Sequence, residues 1–363
     1  MTESKRKTIR LRKEANNGTD EEATSTISPG SFSTQGRAST PETSNPDPSR
    51  SAGTPLSTSD SAPALRGRLR DDDIEAKTGD YLLSFGYPGS GKTTFQSFLS
   101  YYVTHVGSFQ ARPLIDPEDS ALGWEPMATY NDWIKLWRDG RFPPPNPMDD
   151  SDIRELTFEV KPKEGVKTPL TFSFLEVSGE LMREVMADRD RDPGLTDTVR
   201  RYLANESIRM ILVLIVDPEH DQRGENDLLF QNLFTFLDVN FPGFRERASL
   251  ALLISKPDTA LYMLKREKPG FRHYAELRGD LCEDYIETFL PATYNVLDSW
   301  PNQGRVQIMT LHLGEVVQEG GEPRIVKHDH RDIEKIFSWI YTQFTGARLG
   351  PKWWQKALQW IRE

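Results

Sequence analysis

The residues most able to do chemistry stand together in Gly86-Tyr87-Pro88-Gly89-Ser90-Gly91-Lys92-Thr93, which fills every fixed position of the pattern G-x-x-x-x-G-K-[ST]. Three glycines let the main chain turn so that several N–H groups point into one concavity. A helix starting there adds the positive end of its dipole. Such a cradle suits a polyphosphate. Lys92 would reach the β- and γ-phosphates, the Thr93 hydroxyl would coordinate Mg²⁺, and Pro88, Ser90 and Thr94 complete the lining. Three further acidic groups lie downstream: Glu176-Val177-Ser178-Gly179-Glu180, Asp217 with Glu219, and Ser255-Lys256-Pro257-Asp258.

Each group needs an element to hold it. Tyr81 to Phe85 is a short apolar, aromatic-rich run that predicts a buried strand. Thr94 to Val106 carries Phe95, Phe98, Leu99 and Tyr102 at helical spacing, so the loop sits between strand and helix. Phe109 to Asp152 predicts a long irregular insert with one amphipathic piece, Tyr130 to Trp137, and a proline cluster, Pro143 to Pro145. Glu155–Val160 and Leu170–Glu176 predict a hairpin whose second strand ends at Glu176. Helical material is expected over Leu181–Ala187 and Thr196–Ala204. The continuous apolar run Arg209–Val216 predicts a buried strand ending at Asp217, followed by a helix from Asp227 to Asn240. Leu250–Ile254 predicts a strand ending at Ser255. A helical region over Tyr274–Leu297, a strand over Val306–Leu311 and a helix over Asp332–Phe344 close the pattern. Alternating strands and helices of this kind indicate an α/β class with a mostly parallel central sheet between helical layers.

Composition bounds the rest. The chain has 363 residues and a formal net charge of -10, so bulk attraction to nucleic acid is not expected. One cysteine, Cys282, excludes an internal disulfide framework and fits a reducing cytoplasm. No apolar run approaches the ~20 residues of a membrane span. Residues 1–78 open with a basic cluster (Lys5, Arg6, Lys7, Arg10, Arg12, Lys13) and continue rich in Ser, Thr and Pro, the composition of a disordered arm. Residues 347–363 form a basic tail with Trp353, Trp354 and Trp360. The basic cluster offers contact with an acidic membrane, nucleic acid or an acidic partner but reads more readily as a solvated end, whereas the tail offers a partner or membrane interface and reads equally as packed back onto the domain. The histidines, including His328 and His330, read as solvated or packed rather than as a zinc site, because a second cysteine is lacking.

The order of these signals resembles P-loop GTPases of the Ras-like, translation-factor-related class, over Gly79 to about Phe344. The insert with Trp133, Trp137, Gly140 and the prolines is similar to the double-GTPase domains of bacterial conflict systems. The resemblance implies a three-layer P-loop fold over residues 79–346 with a long insert after the first helix. It also implies a Mg²⁺-dependent switch binding GTP and GDP, with a protein effector or activator. By its terms Glu176 holds Mg²⁺, where Asp is commoner, and Gly179 gives its amide to the γ-phosphate. Ser255, Lys256 and Asp258 read guanine, with Asp258 accepting from the base's N1 and N2 donors and the Lys256 stem lying along the ring. Glu180 stands where a water-orienting Gln is usual, and Asn146 where a Thr ligand is usual. These departures imply slow hydrolysis, or hydrolysis completed by a partner's arginine or by Arg141 or Arg154 within the chain. Two other readings stay open. Asp217 and Glu219 can serve as the metal and base groups of a P-loop ATPase, and a GTP-binding scaffold need not hydrolyse at all. Glu176-x-x-Gly179 also reads as a surface turn, and Ser255 as the cap of an ordinary helix.

Overall fold

A computed structural model describes residues 74–114, 126–144, 154–163, 168–176, 197–219, 224–268 and 278–349. All of them belong to one compact unit, Ser61–Glu363. Residues 1–73 of the arm, the segment with Gly179, Glu180 and the helix expected over Leu181–Ala187, Asn146, and residues 350–363 of the tryptophan-rich tail lie outside the described residues.

The chain runs β1 (Gly79–Phe85), the glycine loop, α1 (Lys92–Tyr101) and a π-helical turn (Tyr102–Val106), then β2 (Phe109–Leu114) and α2 (Pro126–Arg138). Next come β3 (Arg154–Pro162), β4 (Leu170–Glu176), α3 (Asp197–Ala204), β5 (Ile208–Val216), α4 (Glu225–Asn240) and the single turn α5 (Phe244–Arg247). Then follow β6 (Ser249–Ser255), α6 (Pro257–Glu267), α7 (Arg278–Phe289), α8 (Pro291–Asp298), β7 (Val306–Leu311), β8 (Gly314–Glu319), β9 (Glu322–His328) and α9 (Arg331–Thr345).

Seven strands form one sheet in the order β2-β3-β4-β1-β5-β6-β7. The five from β4 to β7 run parallel, while β3 is antiparallel to both β4 and β2. Burial explains the sequence texture. β5 and β6 lie between two helical layers, so both faces must be apolar and the strands read as unbroken runs. Alternate side chains feed two cores. Leu83, Leu212, Leu214 and Leu252 pack with α4, α7 and α8 on one face. Leu82, Ile211, Val213 and Leu253 pack with α1, α2 and α9 on the other. Helices on both faces make this a three-layer α/β arrangement. No helix among the described residues is long and apolar enough to cross a membrane.

Four features depart from the sequence-based expectation. The insert expected to be irregular contributes β2, which pairs along β3 from Phe109↔Pro162 to Leu114↔Thr157. Its Pro113 is tolerated because the strand lies at the sheet edge. Ile74, ahead of the expected boundary at Gly79, is already packed: it is buried, and Asn205 donates to the Ile74 and Lys77 carbonyls at 2.8 and 2.9 Å. A charged hairpin, β8–β9, follows the last sheet strand and drops Ile325 into the second core, with Ile325 N–H donating to the Gly140 carbonyl at 2.8 Å. The region expected as one long helix ending at Leu297 is broken at Leu290 into α7 and α8, with Pro291 opening the second.

Candidate functional site

Strands β4, β1, β5 and β6 are consecutive, parallel neighbours. The segments that follow them therefore emerge along one edge of the sheet. Glu176, the glycine loop, Asp217–Glu219 and Ser255–Asp258 line up there in that order. From β1 the chain passes to β4 on one side and later to β5 on the other, and such switch points are where open α/β sheets take ligands. With strands about 4.8 Å apart, the loop after β1 and the segment after β6 are separated by roughly 10 Å of sheet edge.

The loop is closed on itself. Ser90 N–H donates to the Tyr87 carbonyl at 3.0 Å, and Phe95 N–H to the Gly91 carbonyl at 2.8 Å as α1 begins. Gly91 precedes α1 with φ 101°, and no side chain caps the helix there. Being glycine, Gly91 brings no capping side chain of its own to the start of α1. Gly86 is required by space: a Cβ there would lie 2.6 Å from the Ile215 carbonyl oxygen of β5. The Lys92 ammonium folds back over the loop, donating to the carbonyls of Gly86 at 2.8 Å and Tyr87 at 2.9 Å. Pro88 is half-buried and Gly89 exposed at the loop's outer bend, and Thr93 and Thr94 are half-buried in the first turn of α1. Ser90 is buried, and its hydroxyl has no hydrogen-bond partner among the described residues. Tyr87, in a variable position of the motif, ties the loop to the start of α4 by donating its hydroxyl to the Glu225 carbonyl at 3.1 Å.

A second network spans the ends of β5 and β6. Ser255 is buried and donates its hydroxyl to the Val216 carbonyl at 2.8 Å, so it fastens the two strands rather than capping α6. Lys256 follows with φ 48° and ψ 59°, the only non-glycine residue at positive φ among the described residues. Its ammonium donates to Asp217 Oδ2 at 2.8 Å and to Glu219 Oε2 at 2.5 Å. The other Asp217 oxygen accepts the Glu219 N–H at 3.0 Å. Burial alone would lower the Lys256 amine, but the hydrogen bonds and charges of the two carboxylates outweigh it, and its pKa is raised. Asp258 is exposed in the first turn of α6.

The remaining expected residues divide. The backbone of Glu176 ends β4 beside β1 and pairs in register with Arg154 of β3. Arg141 reaches Glu322 at 3.5 Å in an exposed pair, and its backbone forms an isolated β-bridge with Arg324 of the hairpin. His328 and His330 stack on each other and on Phe98 in an aromatic box. Burial lowers the pKa of both imidazoles, and the His328 charge lowers that of His330 further. Among the described residues no three His, Cys, Asp or Glu side chains converge as a metal cluster. Sequence patterns alone missed the Tyr87 hydroxyl and the Lys256 clamp. For the clamp the acids and the lysine were visible, but not that strand pairing would bring them together.

The chain matches no protein-family model and no curated protein.

Proposed function

We propose that the chain is a guanine-nucleotide switch, binding GTP and GDP with Mg²⁺ on the β1 edge and hydrolysing GTP slowly. The observation that carries this reading is the closed glycine loop with the Lys92 ammonium folded over its carbonyls. The ammonium is held where it can exchange carbonyl oxygens for phosphate oxygens, and the glycine turn at Gly91 leads into the N-terminus of α1, whose dipole favours an anion. For the metal, the donor set is the Thr93 hydroxyl and the Glu176 carboxylate. Hard oxygens of this kind fit Mg²⁺, which takes one or two protein oxygens and completes its shell with phosphate and water. Bound there, it would neutralise charge on the β- and γ-phosphates.

Ser255, Lys256 and Asp258 stand at the end of the edge where the base would lie, with Asp258 free to accept from the base's donors. Gly179 and Glu180 would sense the γ-phosphate and position water, and an activating protein would complete the charge stabilisation. The ATPase reading is weaker because both Asp217 and Glu219 are engaged by Lys256.

Competition against a fluorescent guanine nucleotide tests the reading. GTP and GDP should displace it, ATP should not, and Lys92→Ala should weaken binding by about a hundredfold or more. Displacement by ATP as effective as by GTP would end the guanine assignment. Single-turnover hydrolysis then separates a slow GTPase from a non-hydrolysing scaffold.

A further inference from the structure

Lys256 is held in a conformation its sequence opposes. A side-chain-bearing residue in the left-handed region costs about 1–2 kcal/mol. The following Pro257 disfavours helical backbone at Lys256 as well and pushes it toward an extended conformation. Strain of this kind persists only where surrounding contacts over-determine it. Those contacts are the two carboxylates at the end of β5: Asp217, whose side chain is only 1% exposed, and the more open Glu219. The clamp draws the Lys256 side chain from β6 toward the end of β5, and the left-handed turn starts α6 so that Asp258 falls in its first turn.

Building on the guanine-nucleotide reading above, we propose that Asp217 and Glu219 are positioning residues for the base. They anchor the Lys256 ammonium so that its aliphatic stem forms a platform for a purine ring and Asp258 is presented to the ring's donors. This role differs from that of a metal ligand or a general base. A carboxylate committed to an ammonium and to a backbone amide is set up to hold a side chain still. Releasing the anchor would let Lys256 relax toward the extended conformation. The ordering cost of rebuilding the platform would then fall on each binding event.

The proposal separates affinity for the base from affinity for the phosphates, and two competitors read them apart. GTP engages both ends of the edge, whereas inorganic tripolyphosphate engages only the glycine loop. In competition against a fluorescent guanine nucleotide with Mg²⁺ present, Asp217→Asn should weaken GTP by about tenfold and leave the inhibition constant of tripolyphosphate unchanged. Glu219→Gln removes an exposed partner and cannot compromise the core; it should weaken GTP by about threefold with the same selectivity. Should Asp217→Asn not fold, Glu219→Gln decides alone. Unchanged GTP affinity in Glu219→Gln and in any folded Asp217→Asn overturns the proposal. Equal losses for GTP and tripolyphosphate, with an altered Mg²⁺ dependence, overturn it in favour of metal ligation. A wild-type protein that binds tripolyphosphate but not GTP refutes the platform while sparing the loop. One that binds neither refutes the nucleotide reading itself.

Discussion

Two lysine–carboxylate pairs of nearly equal length sit in different surroundings in this molecule. Lys77 meets Glu155 at 2.7 Å, and Lys256 meets Asp217 at 2.8 Å. Around Glu155 the acceptors are filled by the protein itself: Tyr81 at 3.1 Å and Ser173 at 3.0 Å on one oxygen, Lys77 and Tyr202 at 3.0 Å on the other. This one carboxylate of β3 fastens β1, β4, α3 and the segment entering β1. Burial, with the neighbouring Glu155 charge second, raises the Tyr81 phenol well above its ordinary pKa, so it remains a donor. The Lys256 network differs: Asp217 is buried, but the second acid, Glu219, is exposed, the lysine backbone is strained, and the network stands at the C-terminal ends of β5 and β6. A closed pair holds the fold, whereas an open, strained one is suited to meeting a ligand.

The comparison breaks first at Glu155. Glu155→Ala leaves an ammonium and three hydroxyls without their common acceptor. It should cost about 3 kcal/mol in denaturant unfolding, toward the lower limit for a disrupted buried pair because Glu155 keeps some solvent contact. Nucleotide affinity per folded molecule should stay unchanged. A loss of affinity with little loss of stability would reverse the assignment of the two pairs.

Asp217→Asn comes next and should move both observables. The side chain is isosteric, and Lys256 keeps Glu219, so the expected loss of stability is smaller, about 1.5 kcal/mol. It should be accompanied by the weakened GTP binding described above. A stability loss as large as that of Glu155→Ala, with full affinity in the folded fraction, would make the second pair another purely structural clamp.

Much of this was legible before the fold was seen, for identifiable reasons. The glycine loop announces itself because its requirements are largely local: a side chain on Gly86 would collide with the Ser90 hydroxyl of the same loop, and Lys92 lies near the loop carbonyls by sequence spacing alone. β5 and β6 are legible because burial on both faces forbids polar residues. Strand β2 was hidden by Pro113 and by its edge position, which leaves half-exposed residues without a clear alternation. The hairpin β8–β9 was hidden by its charge, although Gly320-Gly321 is a strong turn signal. The Lys256 clamp depends on contacts 39 residues apart in sequence, created by the register of β5 on β6. No local rule yields it. The Glu155 hub is of the same kind, since Lys77 lies 78 residues from its partner.

The smallest expected effect sharpens the comparison most finely. Tyr202 of α3 touches the hub in two ways, through its hydroxyl on Glu155 and through its ring, 5.6 Å from that of Tyr81. Tyr202→Phe keeps the ring and removes only the hydroxyl. Glu155 retains Lys77, Tyr81 and Ser173, so no charge is stranded and the cost should be near 1 kcal/mol, the net value of one hydrogen bond. If the hub is a mutually supporting network, the losses in Tyr202→Phe and Tyr81→Phe should not add: the double variant should depart from the sum by about 0.5 kcal/mol or more. Strict additivity would reduce the hub to independent contacts around a single ion pair. Because α3 follows directly on the segment holding Gly179 and Glu180, the same variant asks whether the hub also restrains that segment. Unaltered nucleotide affinity would confine the Tyr202 contact to the fold, whereas a faster release of bound nucleotide would connect it to the proposed nucleotide site.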